Sequence, residues 1–232
     1  MKVLAIIPAR CGSKGFKDKN IAVIENKTLI EWAVEVAKKS KYIDDIYIST
    51  DCEKYEKIAL KAGVKSLGLR DKRLSGDFVK TQEVVSDMLK KLPKYDYIVL
   101  LQPTSPIRKP NDIDKMIEFL DKDKNFDSII SVEKIDEPHP NKLKKIKNNE
   151  LVSFLENTTS EIPRQLLDDV YKLSGAIYVV KYNYFIKNNS FFGKTLPYIQ
   201  DMSINIDNEL DFLFLQTLLK YKNTTLKEIC NV

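Results

Sequence analysis

The segment Ile6-Ile7-Pro8-Ala9-Arg10-Cys11-Gly12-Ser13-Lys14-Gly15, followed closely by Lys19-Asn20, gathers the groups that hold a phosphate chain. The sequence has only seven glycines, and two of them fall in this short loop. Glycine lets backbone N–H groups turn toward a ligand and approach it closely. Successive N–H groups, together with the cations of Arg10 and Lys14, make an anion cradle. Directly after a buried apolar strand, such a cradle suits a nucleoside triphosphate. The loop is neither a P-loop, which needs G-x-x-x-x-G-K-[ST], nor a dinucleotide fingerprint, which needs G-x-G-x-x-G. The plainer alternative is a basic surface turn after a strand.

Three more polar clusters follow apolar runs: Ser49-Thr50-Asp51, Arg70 to Asp77, and Gln102-Pro103-Thr104-Ser105-Pro106. In the last, two prolines pin the turn. Gln102 then reads as ligand-facing, and Ser105 as a cap on backbone groups. In Asn205-Ile206-Asp207-Asn208-Glu209, Asp207 fits two roles, the N-cap of a following helix or a ligand to a hard metal. Mg2+ held with substrate phosphates takes only one or two protein carboxylates. The five arginines, Arg10, Arg70, Arg73, Arg108 and Arg164, stand out in a lysine-rich chain as candidates for planar, multidentate binding. His139 is the sole histidine and lies between prolines. Nothing near it supports a nucleophile–His–acid device, so it reads as structural or substrate-adjacent. Cys11 reads as a small loop residue rather than a nucleophile.

The elements that must position these groups follow from periodicity. Val3 to Ile7 is a buried strand. Thr28 to Lys41 is an amphipathic helix, and Asp45 to Asp51 is a strand. Glu53 to Ala62 is a helix stopped by Gly63. Val64 to Leu69 is a short strand, Lys80 to Leu92 a helix, and Tyr95 to Leu101 a strongly apolar strand. A helix at Asn111 to Leu120 and a strand at Asp127 to Val132 complete the alternation. Such alternation predicts right-handed βαβ units and a mainly parallel sheet. In such sheets ligands sit beyond the carboxyl ends of the strands, where these polar clusters fall. From Asp136 to about Lys172 the alternation stops, and prolines and polar turns suggest an insert of hairpins and loops. A strand at Leu173 to Val180 and a helix at about Glu209 to Tyr221 follow.

Composition bounds the rest. The 232 residues fit one large domain with or without a subdomain insert, and a hydrophobic content of 43% supplies its core. No run of about 18 apolar residues suggests a membrane span, and the first residues lack a signal-peptide pattern. Cys11, Cys52 and Cys230 show neither metal spacing nor a disulfide framework, which points to a reducing cytoplasm. The net charge of +5 comes from lysines interleaved with acids rather than from a basic tract with aromatics. That pattern argues against a nucleic-acid partner.

In this order the clusters resemble the acylneuraminate cytidylyltransferases, the CMP-sialic acid synthetase family. The likeness rests on Pro8 to Gly15 with Lys19-Asn20, Ile48 to Asp51, Leu101 to Arg108, Pro163-Arg164-Gln165, Ser174 to Tyr178, and Ile206-Asp207 before Glu209-Leu210-Asp211, and it runs to about Leu219. The resemblance implies an α/β, Rossmann-like nucleotidyltransferase fold with a core of residues 1–135 and 175–232. It implies a homodimer whose inserted arm, residues 136–174, helps close the partner's sugar site. It implies that Arg10, Ser13, Lys14 and Asn20 hold CTP, with Arg70 and Asp77 on the nucleotide side. Gln102, Lys142, Arg164, Gln165 and Tyr178 would serve an acidic nine-carbon sugar, with Arg164 a fork for its carboxylate.

Asp207 would hold Mg2+ in that scheme, with Asn205 beside it. Relatives often have Asp-Ile-Asp there, so Asn205 keeps an oxygen but loses a charge, and weaker Mg2+ binding is expected. The implied reaction is attack of the sugar's anomeric hydroxyl on the α-phosphorus of CTP. Arg10, Lys14 and Asp207 are its implied catalytic groups. Related enzymes for 3-deoxy-manno-octulosonate usually follow the first loop with Arg-Leu-Pro-Gly-Lys. Here Lys17-Asp18-Lys19-Asn20 stands instead, which favours nine-carbon acids. A different nucleotide, a different acidic sugar, or non-catalytic nucleotide binding on the same fold are the competing readings.

Overall fold

A computed structural model describes residues 1–156 and 161–232. Its strands are β1 (Val3–Pro8), β2 (Val23–Ile24), β3 (Lys27–Thr28), β4 (Asp45–Ser49), β5 (Lys65–Ser66), β6 (Tyr97–Leu100), β7 (Ser128–Ile135), β8 (Lys144–Lys147), β9 (Glu150–Ser153), β10 (Val170–Lys181) and β11 (Thr195–Gln200). Its α-helices are α1 (Leu29–Lys39), α2 (Glu53–Lys61), α3 (Thr81–Leu89), α4 (Pro110–Lys122), α5 (Tyr182–Asn188), α6 (Glu209–Tyr221) and α7 (Leu226–Cys230).

A seven-stranded sheet in the order β11-β7-β10-β6-β1-β4-β5 forms the frame. β1 lies at its heart because Val3 to Ile7 are wholly buried, and continuous apolar runs mark strands covered on both faces. It pairs in parallel with β4 and β6. β4 pairs in parallel with β5, and β7 with β11. β10 runs antiparallel to both β6 and β7. The sheet is therefore mainly parallel, with one reversed strand that the apolar run at Leu173 to Val180 did not disclose.

Two apolar layers cover the sheet. One packs α1, α4 and residues of α2, α6 and α7 on Val3, Ala5, Ile7, Val99 and Val179. The other packs α3 and α5 residues on Leu4, Ile6, Ile98, Leu100 and Val180. The alternation of Leu4 and Ile6 with Val3, Ala5 and Ile7 is the period of two that a strand imposes. α1 starts with a capping box between Thr28 and Glu31 and buries Leu29, Ile30, Trp32, Val34 and Val36. Burying each large side chain of that set is worth about 1.5–3 kcal/mol.

β10 begins at Val170, opposite Ile135, so regular structure returns earlier than the sequence pattern suggests. β5 is shorter than expected, at two residues. Between the sheet strands, residues 136–169 carry the hairpin of β8 and β9, which pair only with each other. The four residues 157–160 of the sequence-defined insert lie outside the described residues. No helix among the described residues is long and apolar enough to cross a membrane.

Candidate functional site

A cavity of about 530 Å³ opens beyond the carboxyl ends of β1, β4 and β6. Its lining includes Arg10, Ser13, Lys14, Gly15, Lys19 and Asn20 from the first loop, Arg70 and Asp77, Gln102 to Thr104, and Asp207. The four clusters singled out by sequence thus converge, with the second contributing through anchorage rather than as lining. The Cys11 N–H donates to Asp51 Oδ1 at 2.7 Å. Asn20 is buried, and its Nδ2 donates to the Arg10 carbonyl at 3.1 Å. Phe16 packs its ring on Phe212 of α6 at 5.5 Å. The loop is therefore tied to β4, to itself and to the last long helix.

Gly15 explains one glycine of the loop. A Cβ there would lie 2.6 Å from the Asp207 carbonyl oxygen, closer than packing allows. The loop and the 204–207 segment approach so closely that only glycine fits. Lys19 Nζ donates to Asp207 Oδ1 at 2.9 Å across the same gap. Arg10 and Lys14 both point to one carboxylate, with Arg10 2.7 Å from Asp77 Oδ1 and Lys14 2.6 Å from Asp77 Oδ2. Lys14 and Arg10 hold the Asp77 carboxyl below its ordinary value.

The wall formed by Gln102 to Pro106 is fixed from behind. Arg108 is wholly buried and donates to the Ala176 carbonyl at 2.7 Å and to the Gln102 carbonyl at 2.8 Å. Burial pushes its pKa down to about 10, which leaves it cationic at neutral pH. Ile206 N–H donates to the Thr104 carbonyl at 2.8 Å, and the Ser105 hydroxyl donates to Asn205 Oδ1. β10 bulges between Leu173 and Tyr178. At that bulge Gly175 has φ +71°, and a Cβ there would lie 2.6 Å from both Asn205 Oδ1 and Ser105 Oγ. Bulges next to sites re-aim side chains, and here the bulge makes room for Asn205, Ser105 and Gln102.

Asp207 is not the cap of α6. Asn208 holds that position and accepts from Asp211 N–H at 3.1 Å, while Asp211 accepts from the Asn208 N–H at 3.0 Å. Relieved of capping, the Asp207 carboxylate is three-quarters exposed and bonded to Lys19 alone among the described contacts. It is the group that could hold a divalent cation. Asn205 offers a single oxygen that the Ser105 hydroxyl already uses.

The remaining candidates divide. Arg70 lines the cavity but spends its guanidinium on Ser49 O at 2.6 Å and Leu74 O at 3.3 Å, and burial pulls its pKa down. Arg73 pairs with Asp71, and Arg108 is the staple described above. Tyr178 does not line this cavity. Its ring meets Phe191 and Phe192 edge-on at 5.9 and 6.4 Å, and burial pushes its phenol pKa up.

Lys142, Arg164 and Gln165 lie outside the lining too. Lys142 pairs with Glu137 at 3.1 Å, Arg164 pairs with Asp136 at 2.8 Å, and Gln165 is exposed. His139 is buried and structural, with Nδ1 accepting from Asn141 N–H and Nε2 facing the Asp168 carbonyl. Burial and the Cys52 thiol push the Cys11 thiol up, against a nucleophilic role. The residue that sequence reasoning left without a role is Lys19. Its place beside Asn20 was the available signal.

A mixed sheet with a cationic loop at the end of its first strand, facing a carboxylate across a cavity, defines an α/β nucleotide-binding enzyme fold. The sequence profile described as cytidylyltransferase matches residues 4–196, and the chain belongs to that family. It is 31% identical to CMP-N,N'-diacetyllegionaminic acid synthase of Legionella pneumophila, over 97% of this chain and 100% of that one. It is 30% identical to an N-acylneuraminate cytidylyltransferase of Escherichia coli, over 96% of this chain and 53% of that protein. The chain thus spans about half the length of that second relative. The solved structure of CMP:2-keto-3-deoxy-manno-octonic acid synthetase complexed with CTP shares the fold, with a TM-score of 0.73 at 16% identity over 96% of this chain and 100% of that one.

Proposed function

We propose that this chain transfers the cytidylyl group of CTP to a nonulosonic acid of the N-acylneuraminate or legionaminate type. The anomeric hydroxyl oxygen bonds to the α-phosphorus, the bond from that phosphorus to the bridging oxygen breaks, pyrophosphate leaves, and the hydroxyl proton is released. The single observation that carries this reading is that Arg10 and Lys14 of one loop line the same cavity as Asp207 and Gln102. The names of the relatives supply the acceptor class.

In this reading Arg10, Lys14, Ser13, Asn20 and the loop N–H groups bind the triphosphate, and Arg70 and Asp77 lie on the nucleotide side. Charge neutralisation and in-line positioning are the main demands of phosphoryl transfer. Preorganised donors meet them best, because no reorganisation is needed as charge develops. Asp207 suits Mg2+, since its oxygens are exposed and one or two carboxylates suffice beside phosphates. Bound there, Mg2+ would neutralise triphosphate oxygens. Asn205 is the weaker second oxygen.

Gln102 takes the sugar side of the same chain, whereas Tyr178, packed on Phe191 and Phe192, does not line the cavity. Lys142, Arg164 and Gln165 reach a sugar in this scheme when the insert of residues 136–174 belongs to a second copy. None of the three lines the cavity of its own chain. Ile146 and Leu151 of the hairpin are 78% and 71% exposed, an apolar surface suited to a homodimer contact. A CTP donor and three free thiols suit a reducing cytoplasm.

The test is pyrophosphate release with CTP, Mg2+, N-acetylneuraminic acid and N,N'-diacetyllegionaminic acid, with GTP, ATP and UTP for comparison. Turnover with CTP on one acid, lost in Arg164→Ala, supports the reading. CTP binding without turnover on either acid overturns the acceptor assignment.

A further inference from the structure

Asp77 sits where a phosphate binder has little use for an acid. Each of its oxygens is taken by a different cation of the loop, Arg10 at 2.7 Å and Lys14 at 2.6 Å. Bound triphosphate and Asp77 therefore compete for the same donors. The competition is unequal. The Lys14 side chain is 84% exposed and those of Arg10 and Asp77 about a third, and exposed pairs of single charges are weak. A multiply charged phosphate chain accepts more and stronger charge-assisted bonds.

The neighbouring residue makes the second half of the observation. Phe78 is 99% exposed, although it stands between Asp77 and Val79, which both line the cavity. Among the described residues, no aromatic side chain contributes to that lining. Leu74, Val79 and Val84 supply an apolar stretch of wall, separate in chemistry from the cations. A nucleotide has the matching polarity, with an anionic chain and a flat base. Gly76 sits just before the acid, and a Cβ there would meet only Val79 Cγ2 at 3.8 Å, so the backbone at this point is uncrowded.

We propose that Asp77 is a resident anion that occupies Arg10 and Lys14 until a triphosphate displaces it, and that its release lets the 75–80 segment carry Phe78 over the nucleotide base. The inference rests on the CTP reading above for the identity of the base, and on the ion pairs alone for the displacement. Two consequences follow. With Asp77 seated the two loop cations are partly neutralised toward stray monoanions, and closure over the base is coupled to occupation by phosphate. Asp77 and Phe78 are positioning residues, since they act through the loop cations and the base.

The experiment is calorimetric titration of the full chain with inorganic tripolyphosphate and, separately, with CTP, each with and without Mg2+. The variants are Asp77→Asn, Phe78→Ala and Phe78→Leu. Unchanged melting temperatures confirm that these surface changes leave the fold intact. Asp77→Asn is expected to tighten tripolyphosphate about five-fold by removing the competitor. Phe78→Ala is expected to leave tripolyphosphate unchanged and to weaken CTP about ten-fold, within the range for loss of a base–aromatic stack. Phe78→Leu falls between.

Weaker or unchanged tripolyphosphate binding in Asp77→Asn overturns the displacement, and weakening seen only with Mg2+ shows that Asp77 is a metal ligand instead. CTP affinity that is indifferent to Phe78→Ala overturns the cover. If Asp77→Asn tightens tripolyphosphate as expected but the wild-type chain binds CTP no better than tripolyphosphate, the CTP reading fails while the displacement stands.

Discussion

The first loop and the 136–169 segment are both rich in cations, yet they are built in opposite ways. Loop groups are fixed by partners distant in sequence: Cys11 by Asp51, Lys19 by Asp207, and Phe16 by Phe212. Cations of the other segment pair with near neighbours, Lys142 with Glu137, or with an acid at the segment's own start, Arg164 with Asp136. Its hairpin pairs only with itself and exposes Ile146 and Leu151. On the proposed reading the loop is a phosphate cradle, and its backbone is then best preorganised within one chain, since preorganised donors cost least as charge develops. A segment held by local, solvated pairs is the part that, on the proposed reading, a second copy would complete.

That contrast can be broken in four ways. The largest effect is expected from Lys14→Ala, a loss of about 100-fold or more in kcat/KM for CTP, in the range for removing one preorganised charge donor. Steady-state pyrophosphate release measures it, and a loss below ten-fold would mean the loop is not the phosphate site. Next comes Gly175→Ala. The strained positive φ and the 2.6 Å approach to Asn205 and Ser105 predict about 2 kcal/mol of lost stability. Denaturant unfolding with an unchanged slope would report it, and a neutral result would show that the bulge relaxes freely.

The pair Ile146→Glu with Leu151→Glu sharpens the contrast from the other side. Stability of the single chain should change by no more than about 0.5 kcal/mol, as for exposed positions. Sedimentation should show loss of self-association, and the KM for the sugar should rise while CTP affinity holds. Unfolding of the chain itself would mean that the hairpin is part of the core. The smallest effect is expected from Asn205→Asp. A second carboxylate oxygen should lower the Mg2+ concentration for half-maximal activity by about three- to ten-fold. The Ser105 hydroxyl can donate to Asp as it does to Asn. An unchanged Mg2+ requirement would remove Asn205 from the metal site.

Much of the frame was legible in the sequence for reasons of burial. Val3 to Ile7 and Tyr97 to Leu101 are uninterrupted apolar runs, and such runs mark central strands. Strand direction was not legible for β10, since a run buried on both faces reads alike in either sense. The sequence left Asp207 open between the cap of α6 and a metal ligand, because Asp207 and Asn208 are adjacent side chains of similar capping chemistry. Asp211, three residues beyond Asn208, settles it through a reciprocal bond. Arg108 was a fair candidate for a ligand because a planar donor serves backbone carbonyls and substrates equally. Only its place behind Gln102 and Ala176 separates the two. Asp77 was read by position alone, and its engagement with both loop cations is a three-dimensional fact that no spacing encodes.

The Arg108 staple also has a dynamic reading. It joins the Gln102 carbonyl to the Ala176 carbonyl, which lie far apart in the chain. Neither stretch can lift from the sheet without stranding a buried cation, so the two must open together as one cooperative unit. Amide hydrogens at Ser105 and Ile177, donors to the Gln102 carbonyl and to Ser131 Oγ, should then exchange with solvent at a shared opening free energy. In that view the cavity's far wall is a single slow-breathing body, and the faster motions of the site belong to the side that faces it.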